Sequence, residues 1–328
     1  MSAESRKVPV TILTGFLGAG KTTLLNRILR ERHGERIAVI ENEFGEAGVD
    51  NDLLVVEQQE QIIEMNNGCI CCTVRGDLVR ILGDLRKRRE LDPQAFDRVV
   101  IETTGLADPA PVAQTFFVED DVASYYLLDA IVTVVDAKHA HAQLDDFHEA
   151  QEQVGFADRI LLSKADLVSE DELAKLSDRL VRMNPRAPIK AAHFGDAPIA
   201  ELLDIRGFSL DDILRIEPGF LGEGDHEHDD SVQSFVFSSS KPFDQDRLEE
   251  FFRKAVAEVG RDLMRYKGIV AFEGLDCRVI FQGIHMLMNS DLGPPWKPDE
   301  ARASRLVFIG RKLPEAEIKA DLAACLVA

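Results

Sequence analysis

No apolar run in this chain approaches the roughly 20 residues that a helix needs to cross a bilayer, so a membrane protein is not the expected class. Residues Met1 to Lys7 have neither the apolar core nor the small-residue cleavage site of a signal peptide, and a cytoplasmic location is expected. Basic charge is in short supply: 38 Lys and Arg stand against 58 Asp and Glu, a formal net charge of −20. A phosphate backbone would be repelled by such a surface, which argues against general nucleic-acid binding. Cysteine is scarce too. There are five, and three of them are packed into Cys69-Ile70-Cys71-Cys72. An odd, clustered set is no disulfide framework; it points to a reducing compartment with metal or thiol chemistry.

What is present suits a soluble globular protein, with 45% apolar and 29% charged residues. At 328 residues the chain is too long for one ordinary core and suits two domains. The most informative stretch is Gly15-Phe16-Leu17-Gly18-Ala19-Gly20-Lys21-Thr22, a complete phosphate-binding loop. It follows a β-branched run, Val8 to Leu13, and opens a helical stretch, Thr22 to Arg32, which is the context the motif requires. Gly15, Gly18, Ala19 and Gly20 let backbone N–H groups turn inward around phosphate oxygens, and the helix N-terminus adds partial positive charge. Lys21 would reach the β- and γ-phosphates; the hydroxyl of Thr22, followed by Thr23, would ligate magnesium. A nucleoside triphosphate is therefore the expected ligand.

Further strands are expected at 36–40, 98–101, 127–135, 159–162 and 189–192, and helices over 74–89, 145–155 and 170–183, the first of these amphipathic through Leu78, Ile81, Leu82 and Leu85. Strands alternating with helices predict an α/β fold with a mostly parallel sheet over residues 1–220, and the polar motifs fall at the carboxyl ends of its strands, where such sheets bind ligands. An acidic segment holding His226 and His228 reads as a linker over 221–232. Beyond it, strands at 233–238, 268–272, 277–282 and 305–309, with helices over 247–259 and from 315, suggest a smaller α+β domain over 233–328. Cys277, Cys325, Met286 and Met288 read as core, and His139, His141 and His148 as surface. The basic cluster Arg86 to Arg89 reads as a solvated helix face.

Glu102 ends a strand where phosphate-loop hydrolases place a magnesium-supporting carboxylate, and Gly105 would let the backbone approach the γ-phosphate. Ser163-Lys164-Ala165-Asp166 resembles the Asn-Lys-x-Asp guanine motif. The Asp166 carboxylate can accept from guanine N1–H and the exocyclic amine, a donor pair that adenine lacks, and the stem of Lys164 can cover the base. The Ser163 substitution removes an amide that would help brace the loop, so modest GTP affinity is expected. The three thiols of Cys69, Cys71 and Cys72, near Glu41 and Glu46, suit zinc or a similar soft or borderline ion. Free thiols in a buried turn and a redox dithiol are the other readings. His226 and His228 could hand metal on or simply keep the linker soluble.

Taken together, the stretches 14–23, 41–46, 68–72, 102–109 and 163–166 resemble the CobW-like GTPases, particularly the YjiA type, and the likeness continues through 265–268, 281–283 and 307–310. The resemblance implies a phosphate-loop GTPase domain followed by a CobW C-terminal domain. It also implies slow, magnesium-dependent GTP hydrolysis coupled to transition-metal binding, with Cys71 or Cys72, Glu41 and Glu46 as ligands. The partners it implies are GTP, zinc or a related ion, and a client metalloprotein. A nucleotide-gated metal sensor or buffer with no client is the alternative function, and a phosphotransferase using the same loop is a third.

Overall fold

The structure, a computed structural model, describes residues 7–30, 34–42, 61–65, 73–191, 232–260, 262–297 and 300–327. Among these, 7–177 with 187–191 form one compact unit, and 178–186 with 232–327 form a second. The linker expected over 221–232 lies almost wholly outside the described residues, as do its two histidines.

The first unit is built on a seven-stranded sheet: β1 (Val8–Thr14), β2 (Ile37–Asn42), β3 (Gln61–Met65), β4 (Arg98–Glu102), β5 (Tyr126–Asp136), β6 (Arg159–Ser163) and β7 (Ile189–Ala191). Their order is β3-β2-β4-β1-β5-β6-β7, and every neighbouring pair is parallel. A parallel sheet needs crossovers that cover its faces, so its strands are apolar throughout. All of β4 is buried, and so is all of β1 apart from half-exposed Pro9. Helix α1 (Lys21–Arg30) lays Leu24, Leu25, Ile28 and Leu29 onto Leu13, Val39, Val100, Val132 and Val134 of the sheet. Helices α2 (Thr73–Leu91), α3 (Ala110–Val118), α4 (Asp120–Tyr125), α5 (Ala140–Asp146), α6 (His148–Phe156) and α7 (Glu170–Met183) make up the rest of the described helical cover.

Two departures from expectation occur here. The helix expected over 145–155 is two helices, because Phe147 adopts extended φ and ψ of −129° and 120° and sets its ring 4.7 Å from that of Phe16. Helices α3 and α4 were not anticipated; α3 reads Ala-Pro-Val-Ala-Gln-Thr-Phe-Phe-Val, apolar on nearly every face, which erases the amphipathic period. The basic cluster at the end of α2 is solvated as expected for Arg86 and Lys87, which pair with Glu90 and Asp84. Arg89 instead turns in, donating to the Phe96 carbonyl at 3.0 Å.

The second unit carries an antiparallel sheet of order β11-β10-β9-β12-β8, from β8 (Val232–Ser239), β9 (Leu263–Val270), β10 (Cys277–Ile284), β11 (Leu287–Pro295) and β12 (Ser304–Arg311). Helices α8 (Gln245–Val259) and α9 (Glu315–Ala324) complete an α+β arrangement. Its core is an aromatic stack: Phe252 lies 5.5 Å from Tyr266 and 5.2 Å from Phe281, with rings nearly parallel. The Tyr266 ring passes so close to Gly283 that a Cβ there would fall 2.0 Å from it. Strand β9 begins five residues earlier than expected, because buried Arg265 and Lys267 disguise it as polar. Strand β11 was not anticipated either; it is an edge strand, the place where Pro294 and Pro295 cost no ladder bond. Met286 and Met288, expected in the core, are 61% and 41% exposed at the β10–β11 turn and on that edge. Cys325 is buried as expected, whereas Cys277 is only half-buried.

At the amino end of the first sheet, opposite the phosphate loop, Arg98 is 2% exposed and pairs with Asp129 at 2.8 Å and Glu35 at 2.9 Å. Removing one partner of a buried pair strands the other charge in low dielectric. Arg98→Met should therefore lower unfolding stability by about 3–5 kcal/mol in urea titration, while the folded fraction keeps its nucleotide affinity. A loss below about 1 kcal/mol, typical of exposed pairs, would show that the buried pair contributes little.

Candidate nucleotide and metal site

The loop between β1 and α1 turns on three glycines with positive φ: Gly15 (145°), Gly18 (73°) and Gly20 (98°). At Gly15 space also demands glycine, since a Cβ would sit 2.2 Å from the Val134 carbonyl oxygen of β5. The loop carbonyls are drawn outward by specific donors. Lys21 Nζ donates to the Gly15 carbonyl at 2.8 Å and the Phe16 carbonyl at 3.4 Å. Ala19 N–H donates to Phe16, and Leu24 N–H to Gly20. Ser163 Oγ donates to the Ala19 carbonyl at 2.6 Å, and Lys164 Nζ to the Gly18 carbonyl at 3.0 Å. The first turn of α1 contains no acidic residue, so its N-terminal N–H groups face no competing carboxylate on their own helix.

Lys21 is buried, and burial lowers its pKa from the usual lysine value, while the nearby Glu102 carboxylate pulls it back up. Thr22 Oγ1 donates to Glu102 Oε1 at 2.9 Å, which brings together the two residues expected to support magnesium. Thr23 follows on the exposed side of α1. Glu102 in turn is the register partner of Glu41 across β4 and β2. Adjacent parallel strands run about 4.8 Å apart, and register partners project to one sheet face. Glu41, the first expected metal ligand, is therefore next to the carboxylate expected to support magnesium. The remaining expected ligands, Glu46, Cys69, Cys71 and Cys72, lie outside the described residues, and no group of three or more metal-ligating side chains occurs among the described ones.

On the base side, β6 runs into Ser163-Lys164, and Lys164 takes the left-handed φ of 55°. Asp166 follows in a short 3-10 turn (Ala165–Leu167) and is exposed. Serine at 163 lacks the amide of asparagine, and its hydroxyl makes the bond to the Ala19 carbonyl of the phosphate loop. Sequence reading also passed over Asp136, at the carboxyl end of β5. It is 2% exposed, accepts from Lys164 Nζ at 2.6 Å, and shares its Oδ2 with His139 Nδ1 at 2.9 Å. Its position at a strand end beside the other polar motifs was the available signal. Burial pushes the Asp136 carboxyl up, but the hydrogen bonds from Lys164 and His139 outweigh it, and the pKa lies below the usual aspartate value.

The loop after β4 packs onto the phosphate loop. Thr103 N–H donates to the Leu13 carbonyl at 3.0 Å, and Thr103 Oγ1 to Thr14 Oγ1 at 2.8 Å. Gly105 lies so close that a Cβ would be 2.7 Å from the Leu17 nitrogen and 2.8 Å from its Cα. No helix among the described residues is long and apolar enough to cross a membrane.

Two family models match the chain: the CobW/HypB/UreG nucleotide-binding domain over residues 9–191, and the cobalamin synthesis protein cobW C-terminal domain over 232–326. The zinc chaperone YjiA of Escherichia coli K12 is 44% identical over 317 residues, 96% of this chain and 98% of that protein. The zinc chaperone CobW of Pseudomonas aeruginosa is 34% identical over 353 residues, 98% and 92% of the two chains. The solved structure of zinc(II)-bound YjiA GTPase from Escherichia coli aligns with a TM-score of 0.77 at 38% identity, covering 98% of this chain and 99% of that one.

Two outcomes are expected from this geometry. Gly105→Ala must displace Leu17, because the conflict is with backbone, and should weaken nucleotide affinity by about tenfold or more, about 1.4 kcal/mol; calorimetric titration checks this. Asp136 has a depressed folded pKa, so its stabilising contribution is complete above the unfolded value, about pH 4, and is lost as pH falls through the folded value. Asp136→Asn should thus cost stability at pH 7 but narrow its gap to the parent chain as the pH falls from 4 to 2, in urea midpoints. A constant gap would exclude the ionised carboxylate as the source.

Proposed function

The chain belongs to the CobW/HypB/UreG family, and on that premise we propose that it is a GTPase that couples GTP binding and hydrolysis to the delivery of zinc, or a similar transition metal, to a client metalloprotein in the cytoplasm. The observation that carries this reading is the register of Glu41 against Glu102, with Glu102 hydrogen-bonded to Thr22. It supports the reading in which Glu41, the first of the proposed metal ligands, stands beside the carboxylate proposed to answer to the nucleotide. Relatives named as zinc chaperones, one of them 44% identical, support zinc as the cargo.

The donor set at Thr22 and Glu102 fits magnesium. A hydroxyl and a carboxylate are hard oxygen ligands, and these stand 2.9 Å apart at the first turn of the helix. Magnesium bound there supplies charge neutralisation to the β- and γ-phosphates. The chain's own groups do the rest. Lys21 exchanges its hold on the Gly15 and Phe16 carbonyls for phosphate oxygens, and the loop N–H groups stabilise charge developing toward the transition state. Lys164 is held level with the loop by Gly18 and Asp136, so that its stem covers the guanine while Asp166 accepts from the base edge. Loss of the γ-phosphate alters the charge that Thr22 and Glu102 face. Glu41, one strand away, senses that change, and the cargo metal is held or released accordingly.

Lys21→Ala should abolish GTP turnover, a fall in kcat/KM of about 10²-fold or more, as expected for loss of a charge-stabilising donor; ATP hydrolysed as well as GTP would remove the guanine assignment. Zinc titration of the GTP-bound, GDP-bound and nucleotide-free chain, with Cys71→Ala and Cys72→Ala alongside, tests the coupling. Affinity is expected to differ between nucleotide states by about 5–150-fold and to collapse in the variants. Equal affinity in all three states would refute coupling, and nucleotide-dependent affinity without transfer to any apo-metalloprotein would favour a buffer over a delivery protein.

A further inference from the structure

We propose that Gln153 is a positioning residue for GTP turnover: its buried carboxamide grips the Gly105 and Ala107 carbonyls and fixes the loop after Glu102 against the phosphate loop. The inference rests on the GTPase reading above and adds to it a residue on α6.

Gln153 is 1% exposed. Its Nε2 donates to the Gly105 carbonyl at 3.2 Å and to the Ala107 carbonyl at 3.1 Å. Two carbonyl oxygens facing one end of an amide require the nitrogen there, since the amide oxygen would repel both. The backbone at 153 is itself held, because its carbonyl accepts from Thr133 Oγ1 of β5 at 2.7 Å. The carboxamide is thus anchored to the rigid sheet while both of its protons are spent on a loop. A buried glutamine in a helix interior costs desolvation that an apolar residue would avoid, so its hydrogen bonds must offset that cost.

What it grips explains the arrangement. The loop begins at Thr103, tied to Leu13 and Thr14 of β1. It tightens through the Ala107 N–H bond to the Thr104 carbonyl. It also presses Gly105 onto the backbone of Leu17, inside the phosphate loop. With the Gly105 and Ala107 carbonyls turned to Gln153, the orientations of the peptide planes that follow them are set. Released from Gln153, the same carbonyls would be free to turn toward the anionic γ-phosphate, where they would oppose it. Gln153 therefore acts through the loop, on geometry that matters in the transition state more than in the bound ground state.

The test uses the full chain with GTP and magnesium and compares Gln153→Met, which keeps the volume and removes both donors, with Gln153→Glu. The control is Gln151→Met, which removes a buried carboxamide of the same helix whose Nε2 donates to the Leu144 carbonyl at 2.7 Å, away from the loop. GDP titration counts competent sites in each preparation. For Gln153→Met, kcat per competent site should fall by about tenfold or more with KM for GTP changed less than about twofold, the signature of an interaction made in the transition state. Gln151→Met should keep kcat per site. Gln153→Glu should be impaired at pH 8 and recover relative to the parent chain toward pH 5.5, because the buried acid, with its pKa raised, regains a proton it can donate. A parental kcat per site in Gln153→Met, or equal losses in Gln153→Met and Gln151→Met, would overturn the proposal. If Gln153→Met does not fold, a pH-independent ratio for Gln153→Glu overturns it alone. A parent chain with no GTP turnover would defeat the GTPase reading instead, so the two failures are distinguishable.

Discussion

A phosphate loop binds an anion only if its carbonyl oxygens are kept away from it, and that constraint organises the first unit. The carbonyls of Gly15, Phe16, Gly18, Ala19 and Gly20 each accept a hydrogen bond, from Lys21, Ala19, Lys164, Ser163 or Leu24. Two of those donors lie more than 140 residues downstream, at the end of β6. The parallel sheet is what delivers them: β1, β5 and β6 are neighbours, so their carboxyl ends converge on one loop. Fold and site are in this sense one arrangement, and the amino end of the sheet is left to structural charge pairs such as Arg98 with Asp129.

The proposed coupling between nucleotide and metal rests on register. In a parallel sheet, residues at one level on adjacent strands share a face, and Glu41 and Glu102 occupy one level. Glu102 is hydrogen-bonded to Thr22 of the first turn of α1, and Glu41 is the first of the expected metal ligands.

Much of this was legible in the sequence, for identifiable reasons. The phosphate loop, Glu102 and Lys164 are fixed by local spacing, and local spacing is what a sequence displays. The sheet of the first unit was legible because buried parallel strands are continuous apolar runs. Strand β9 was misplaced and β11 missed where that rule fails: Arg265 and Lys267 are charges inside a buried strand, and Pro294 and Pro295 are tolerated only because their strand is an edge. Helix α3 was missed because it is apolar all round, and the break at Phe147 because it depends on a ring in another segment. Asp136, Gln153 and the hydroxyl of Ser163 belong to the same group. Each gains its role from a partner distant in sequence, and no spacing encodes that.

The first turn of α1, which carries no acidic residue, has a thermodynamic corollary. The positive end of that helix is left for an external anion to neutralise, so nucleotide occupancy is also a contribution to folding. By linkage, a ligand at a hundred times its dissociation constant adds about 2.7 kcal/mol to stability. Melting temperature then becomes a direct gauge of how much of a preparation is loaded.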